Sequence, residues 1–180
     1  MDRVYFEEEQ WMDQVWLRIP LILVAVGSTI FLGTLDYQQI VKGIVVGDKP
    51  MSDRDLILFS ILVISISWIV LIILFRARLI TKITESGIHF KFPPFFNSMK
   101  TIRREDIGRY EVRKYRAWVE FGGYGSKESF RKGGKAYIAK GNMGLQLSRS
   151  DGKKILLGTQ KPDLMRLAMA QWMDRSVESY

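Results

Sequence analysis

The chain has 180 residues, 47% of them hydrophobic, with 27 Lys/Arg against 19 Asp/Glu, a net charge of +8 and no cysteine. The missing thiols exclude a disulfide framework, a thiolate metal site and a cysteine nucleophile. The averages conceal a segregated sequence: residues 1–75 carry 5 Lys/Arg against 9 Asp/Glu, and residues 76–180 carry 22 against 10.

Residues 1–16 are acidic and aromatic, with Glu7, Glu8 and Glu9 between Tyr5, Phe6 and Trp11. The segment reads as a cytoplasmic juxtamembrane lead-in. The alternative is an amphipathic helix whose acidic face docks on a basic domain. Residues 17–35 follow as a first transmembrane helix, uncharged from Ile19 onward and at the short end of what spans a bilayer. Its acidic flank is the reverse of the basic lead of a secretory signal, so a retained helix is expected. Residues 36–55 form an extracytoplasmic loop, in which Ser52 and Asp55 fit a capping box opening the next helix.

Residues 56–75 are the second span, with no charge and no proline. At about 1.5 Å per residue the run covers roughly 30 Å, the hydrocarbon thickness of a bilayer. Arg76, Arg78, Lys82 and Lys91 follow it closely, whereas the loop offers only Lys42, Lys49 and Arg54. The positive-inside rule therefore puts both termini in the cytoplasm of a multi-pass inner-membrane protein. Ala25, Gly27, Ser28, Thr29, Gly33, Ser60, Ser65 and Ser67 are small or hydroxylic and suit close helix packing. Neither apolar run holds an ionisable residue from which an ion path could be built.

From Arg76 the period changes to two. Ile88, Phe90 and Phe92 alternate with His89 and Lys91 before Pro93 and Pro94, the pattern of a half-buried strand. ARLITKIT, MKTIRREDI, RYEVRKY, KAYIAKG, GLQLSRS and KKILLGT are further strand candidates, and Ser150, Asp151 and Gly152 mark a tight turn. The C-terminal stretch is helical, opened by Thr159 or Lys161 and Pro162, with a broad apolar face of Leu164, Met165, Leu167, Ala168, Met169 and Trp172. Strands in succession closed by one helix describe a curved sheet or small barrel of about a hundred residues. Residues 76–180 are thus expected to form one cytoplasmic α+β domain.

The stretches RARLITKITESGIHFKF, IRREDIGRYEVRKY, FGGYG, GKAYIAKGNMGLQL and GKKILLGTQKP cover about residues 76–173. With two spans before them they resemble bacterial membrane-anchored pleckstrin-homology-like (PH-like) domain proteins. The resemblance implies a seven-stranded, strongly bent antiparallel barrel plugged by a C-terminal helix, with no catalytic residue and no cofactor.

The residues themselves give little support to an enzyme. His89 is the lone histidine, no nucleophile elbow is present, and Glu105 and Asp106 suit a turn or a salt bridge. Imidazole or thiolate clusters for a metal are missing. The glycine-rich stretch 121–144 satisfies no phosphate-loop pattern and reads first as an inter-strand loop. The expected surface for anionic lipid or a partner comprises Arg76, Arg78, Lys82, Arg113, Lys114, Arg116, Lys127, Arg131 and Lys132. Arg103, Arg104 and Arg109, interleaved with Tyr110, Tyr115 and Trp118, raise nucleic acid as a lower-ranked partner. Phe95 and Phe96, after the prolines, raise a membrane-dipping loop. The function expected is a membrane-anchored binding or scaffolding module, addressed to the bilayer, anionic headgroups, a membrane protein or a second copy of itself. The alternative is an accessory subunit of a membrane enzyme or transporter with a ligand site in the glycine-rich loop.

Overall fold

The computed structural model describes residues 2–44, 47, 50–128 and 134–174, which divide into two units: Asp13–Phe75, and Met1–Met12 with Arg76–Tyr180. The protein is α+β, with two long apolar helices in the first unit and two sheets in the second.

In the helical unit, α1 (Val15–Asp36) continues through a π-helical turn at Tyr37–Val41, and α2 spans Asp53–Arg76. Both are long and apolar enough to cross a membrane, with mean hydropathies of 2.1 and 3.0, and only 11% and 17% of their most apolar windows are buried. A core helix of a water-soluble domain covers far more of itself. The capping box at the start of α2 is present: the Asp55 N–H donates to Ser52 Oγ at 3.2 Å, and the Ser52 hydroxyl donates to the Asp55 carboxylate at 2.7 Å. Ser60 donates to Asp36 at 3.0 Å and the Trp68 indole N–H to Thr29 at 3.1 Å, so Trp68 ties the two helices together along their length. Gly27 and Gly33 differ from expectation. Both are exposed, and a Cβ on either would meet nothing within 4 Å, so they do not bring α1 and α2 together.

In the second unit, one sheet has the order β1-β2-β3-β4, formed by Val4–Trp11, Arg78–Thr84, Gly87–Phe92 and Phe96–Ile102. The other has the order β5-β8-β9-β7-β6, formed by Ile107–Lys114 (β5), Gly125–Glu128 (β6), Gly134–Ile138 (β7), Met143–Arg149 (β8) and Lys154–Thr159 (β9). A short helix α3, Ala117–Phe121, follows β5, and α4, Pro162–Asp174, follows β9.

The expected antiparallel barrel is corrected on two counts. β7 runs parallel to β9, and the edges of the two sheets are not hydrogen-bonded to each other, so no barrel closes. Side chains bridge the sheets instead: Tyr137 of β7 packs on Phe90 and Phe96 at ring separations of 4.9 and 5.4 Å. α4 fills in against β1 and β2 of one sheet and β5 and β8 of the other. Its buried face is Met165, Ala168, Met169 and Trp172, the i, i+3, i+4, i+7 stripe of an amphipathic helix. Leu164 and Leu167, expected on that face, are exposed. Ile88, Phe90 and Phe92 are buried as the alternation required. Gly87 begins β3 at φ +152°, and a Cβ there would lie 2.7 Å from the Ile102 carbonyl oxygen, so only glycine lets β3 and β4 approach.

The largest correction concerns the first residues. Neither a lead-in nor a helix, Val4–Trp11 is the edge strand β1, antiparallel to β2, with Glu7 opposite Lys82 and Trp11 opposite Arg78. Phe6, Glu8, Gln10 and Met12 point inward and are buried. The helical unit is therefore inserted in the connection of a β-hairpin.

Candidate functional site

The expected basic surface separates into paired and unpaired groups. Arg78 and Lys82 lie on the outer face of β2, where β1 supplies counter-charges. Arg78 meets Glu9 at 2.8 Å and stacks its guanidinium over Trp11 at 5.0 Å, while Lys82 lies 3.5 Å from Glu7. The acidic run thus does meet basic residues, but as a paired strand. Arg113 is spent internally: it binds Glu120 at 2.7 Å and Gln146 at 3.0 Å. Arg76, Lys114, Arg116 and Lys127 are exposed and make no ion pair among the described residues. Arg131 and Lys132 lie outside the described residues.

Three of the residues read as a lower-ranked nucleic-acid surface, Tyr115, Arg104 and Arg103, are taken up within the fold. Tyr115 is 1% exposed, and burial raises its phenol pKa well above the usual value. Arg104 donates to the Met173 carbonyl oxygen near the end of α4, where a cation complements the helix dipole, and stacks over Trp172. Arg103 pairs with Glu105 at 3.4 Å and Asp106 with Arg149 at 3.7 Å, the salt-bridge role the two acids suggested.

The described glycines of the 121–144 stretch have structural duties. Gly122 ends α3 in the left-handed conformation at φ +70°. Gly134 lies against the Lys154 backbone, and Gly141 against the Gln160 side chain. Residues 129–133 of the stretch lie outside the described residues.

Two polar clusters were not anticipated. Glu8, 3% exposed, accepts from Thr159 Oγ1 at 2.6 Å, the Gln160 N–H at 2.8 Å and Gln10 Nε2 at 3.2 Å. Thr159 Oγ1 in turn accepts from the Lys161 N–H at the start of α4. A carboxylate on the first strand is thereby seated at the positive end of the last helix. The second cluster gathers Ser86, His89, Thr84 and Asp2. Ser86 donates to Asp2 at 2.6 Å and lies 3.2 Å from His89 Nε2, while His89 Nδ1 meets Thr101 at 2.9 Å. The Ser86 hydrogen bond lowers the Asp2 pKa. A hydrolytic triad needs its acid on the far nitrogen of the imidazole. Here the acid holds the serine and a threonine holds that nitrogen, so no proton relay is set up.

A groove of about 310 Å³ runs between β1 and α4, lined by Tyr5, Phe6, Glu7, Lys161, Leu164, Leu167, Ala168 and Gln171. Among the described residues, the most exposed aromatic of the α+β unit is Trp118 on α3, beside Val119 at similar exposure, 61% and 60%. Phe95, at the tip between β3 and β4, is 46% exposed and stacks edge-on against Phe92 at 5.1 Å.

Comparison with protein-family models gives no match, and comparisons with curated proteins and with solved structures give none either.

Proposed function

We propose that the protein is a two-span protein of a bacterial cytoplasmic membrane that holds a basic PH-like domain at the cytoplasmic face. It serves there as a non-enzymatic binding or scaffolding module for a membrane protein or anionic headgroups. The observation that carries this reading is the pairing of β1 with β2 across the helical insertion. Trp11 lies opposite Arg78, and the Met12 N–H donates to the Ala77 carbonyl at 2.9 Å. An insertion whose two ends are zipped into one strand pair has both ends on one side of any bilayer it crosses. That agrees with two spans, and the excess of Arg and Lys after α2 favours the cytoplasmic side. The PH-like assignment is supported by a four-stranded meander, a second sheet and a C-terminal helix filling between them. Confinement to a surface raises the domain's effective concentration for partners in the same membrane.

The chain has no cysteine, so single thiols report topology cleanly. In intact cells, an impermeant maleimide should label Lys42→Cys in the loop and should reach Ser150→Cys only after permeabilisation. Labelling of Ser150→Cys in intact cells overturns the orientation. A photo-activatable residue at Lys127 should form discrete adducts with protein or lipid. Their absence at full expression overturns the binding role.

A further inference from the structure

We infer that α3 is a lipid-interface wedge, with Trp118 and Val119 entering the anionic headgroup layer of the membrane that α1 and α2 cross. This rests on the anchored reading proposed above. α3 is held by Ala117 and Phe121, 6% and 5% exposed, and of the three residues between them Trp118 and Val119 are turned outward. Surface aliphatics are ordinary when scattered singly, but an adjacent Trp–Val pair at such exposure is a concentrated apolar feature. The tryptophan is also built in place. Its ring packs edge-on against Tyr124 at 6.3 Å, and a Cβ on Gly123 would approach it to 3.2 Å at a φ of +121°. Glycine there leaves room for an indole that is ordered yet largely uncovered. Indole, an apolar body with one donor, suits the boundary between hydrocarbon and headgroups.

Charge points to the same occupant. Lys114 and Arg116 immediately precede α3 and Lys127 follows it, all three exposed and without an ion pair among the described residues, whereas Arg113 beneath them is neutralised by Glu120. An exposed apolar pair with unpaired cations before and after it in the chain suits a negatively charged lipid surface.

Position within the α+β unit agrees. The chain leaves this unit for the helical segment at Met12 and returns at Arg76, at the end of the sheet where Trp11 faces Arg78 and the Arg78 N–H donates to the Pro93 carbonyl. Phe95 stands at that end too. The second sheet reaches it through Gln10, whose amide donates to the Gly158 carbonyl at 2.6 Å. Gly158 pairs with Gly144, next to the Met143–Lys114 pair from which the chain enters α3. The chain thus enters α3 from the end of β5 that pairs with Met143 at the start of β8, whereas Ser150 follows the other end of β8.

The test uses the full chain in vesicles of phosphatidylcholine alone or of equimolar phosphatidylcholine and phosphatidylglycerol. An environment-sensitive fluorophore is placed at Val119→Cys, Ser150→Cys or Leu62→Cys. In the anionic vesicles the label at 119 should be quenched by brominated acyl chains and shielded from iodide, while the label at 150 should show neither. Each charge removed in Lys114→Gln, Arg116→Gln and Lys127→Gln should lower the ratio of docked to undocked domain roughly fivefold. Trp118→Ala should expose the label at 119 to iodide. Iodide access at 119 equal to that at 150 overturns the wedge, and so does shielding without quenching by lipid, which marks a protein contact instead. If Leu62→Cys is not quenched by brominated lipid, the anchored reading itself fails. If it is quenched and Val119→Cys is not, only the wedge fails.

Discussion

Helices α2 and α4 are both rich in apolar side chains and dispose of them in opposite ways. α2 buries only Leu56, Ser60 and Leu71 among its 24 residues and leaves Ile61 and Leu62 more than half exposed. α4, with 13 residues, buries Met165, Ala168, Met169 and Trp172 in one stripe. A stripe needs a protein on one side and water on the other, whereas apolar residues at every angle need an apolar solvent all round. The two helices are thus matched to different surroundings, and the strand pair β1–β2 is where the chain passes from one kind of element to the other.

The severest way to break this comparison is to remove α1 and α2 altogether. Because Met12 and Ala77 are hydrogen-bonded neighbours, replacing residues 13–75 with a short turn should give a water-soluble domain that unfolds cooperatively in denaturant. Residues 76–180 alone lack β1 and should show no such transition. Aggregation of the turn-joined chain would mean that the long helices form part of its core. Next in size, Trp172→Ala should cost about 3–5 kcal/mol in that soluble domain, while Leu167→Ala should change stability by less than about 0.5 kcal/mol. Equal effects would contradict the burial difference between the two faces of α4. Glu8→Ala strands the donors of Thr159, Gln160 and Gln10 and should cost about 2–3 kcal/mol, read from the same unfolding curves.

The smallest effect is seen with pH. Burial holds the Tyr115 phenol in its neutral form, with a pKa above the ordinary 10.0, and its hydroxyl has no hydrogen-bond partner among the described residues. Its contribution to stability is complete below the unfolded pKa and falls as pH rises past about 10, because the unfolded chain ionises first. Tyr115→Phe should flatten that alkaline decline and raise neutral-pH stability by up to about 1 kcal/mol. An unchanged slope would place the phenol in contact with water.

Much of this fold was legible where local pattern decides structure. The alternation of Ile88, Phe90 and Phe92, the turn at Gly152 and the helix opening at Pro162 all follow from neighbouring residues. β1 escaped because two of its inward positions are Glu8 and Gln10, which break the hydrophobic period of two, and because three successive glutamates look solvated. Their partners lie far along the chain, and Arg78 is 69 positions from Glu9. The same distance hid the state of the basic surface. Arg78, Lys82 and Arg113 were read as available cations, and only tertiary pairing shows them occupied. Trp118 was visible as an aromatic among basic residues, but its exposure depends on Gly123 and Tyr124, which the sequence alone does not bring against the indole.

The placement of β1 also sets an order of events during synthesis. After β1 is made, β2 emerges only once both long helices have been synthesised, and the seat for Glu8 lies 151 positions further on. Long-range closure of this kind is slow, because the intervening chain must be made and confined before any contact rewards it. β1 must therefore wait for its partners until β9 and α4 have been made. Synthesis of the two long helices precedes completion of the α+β unit that they interrupt.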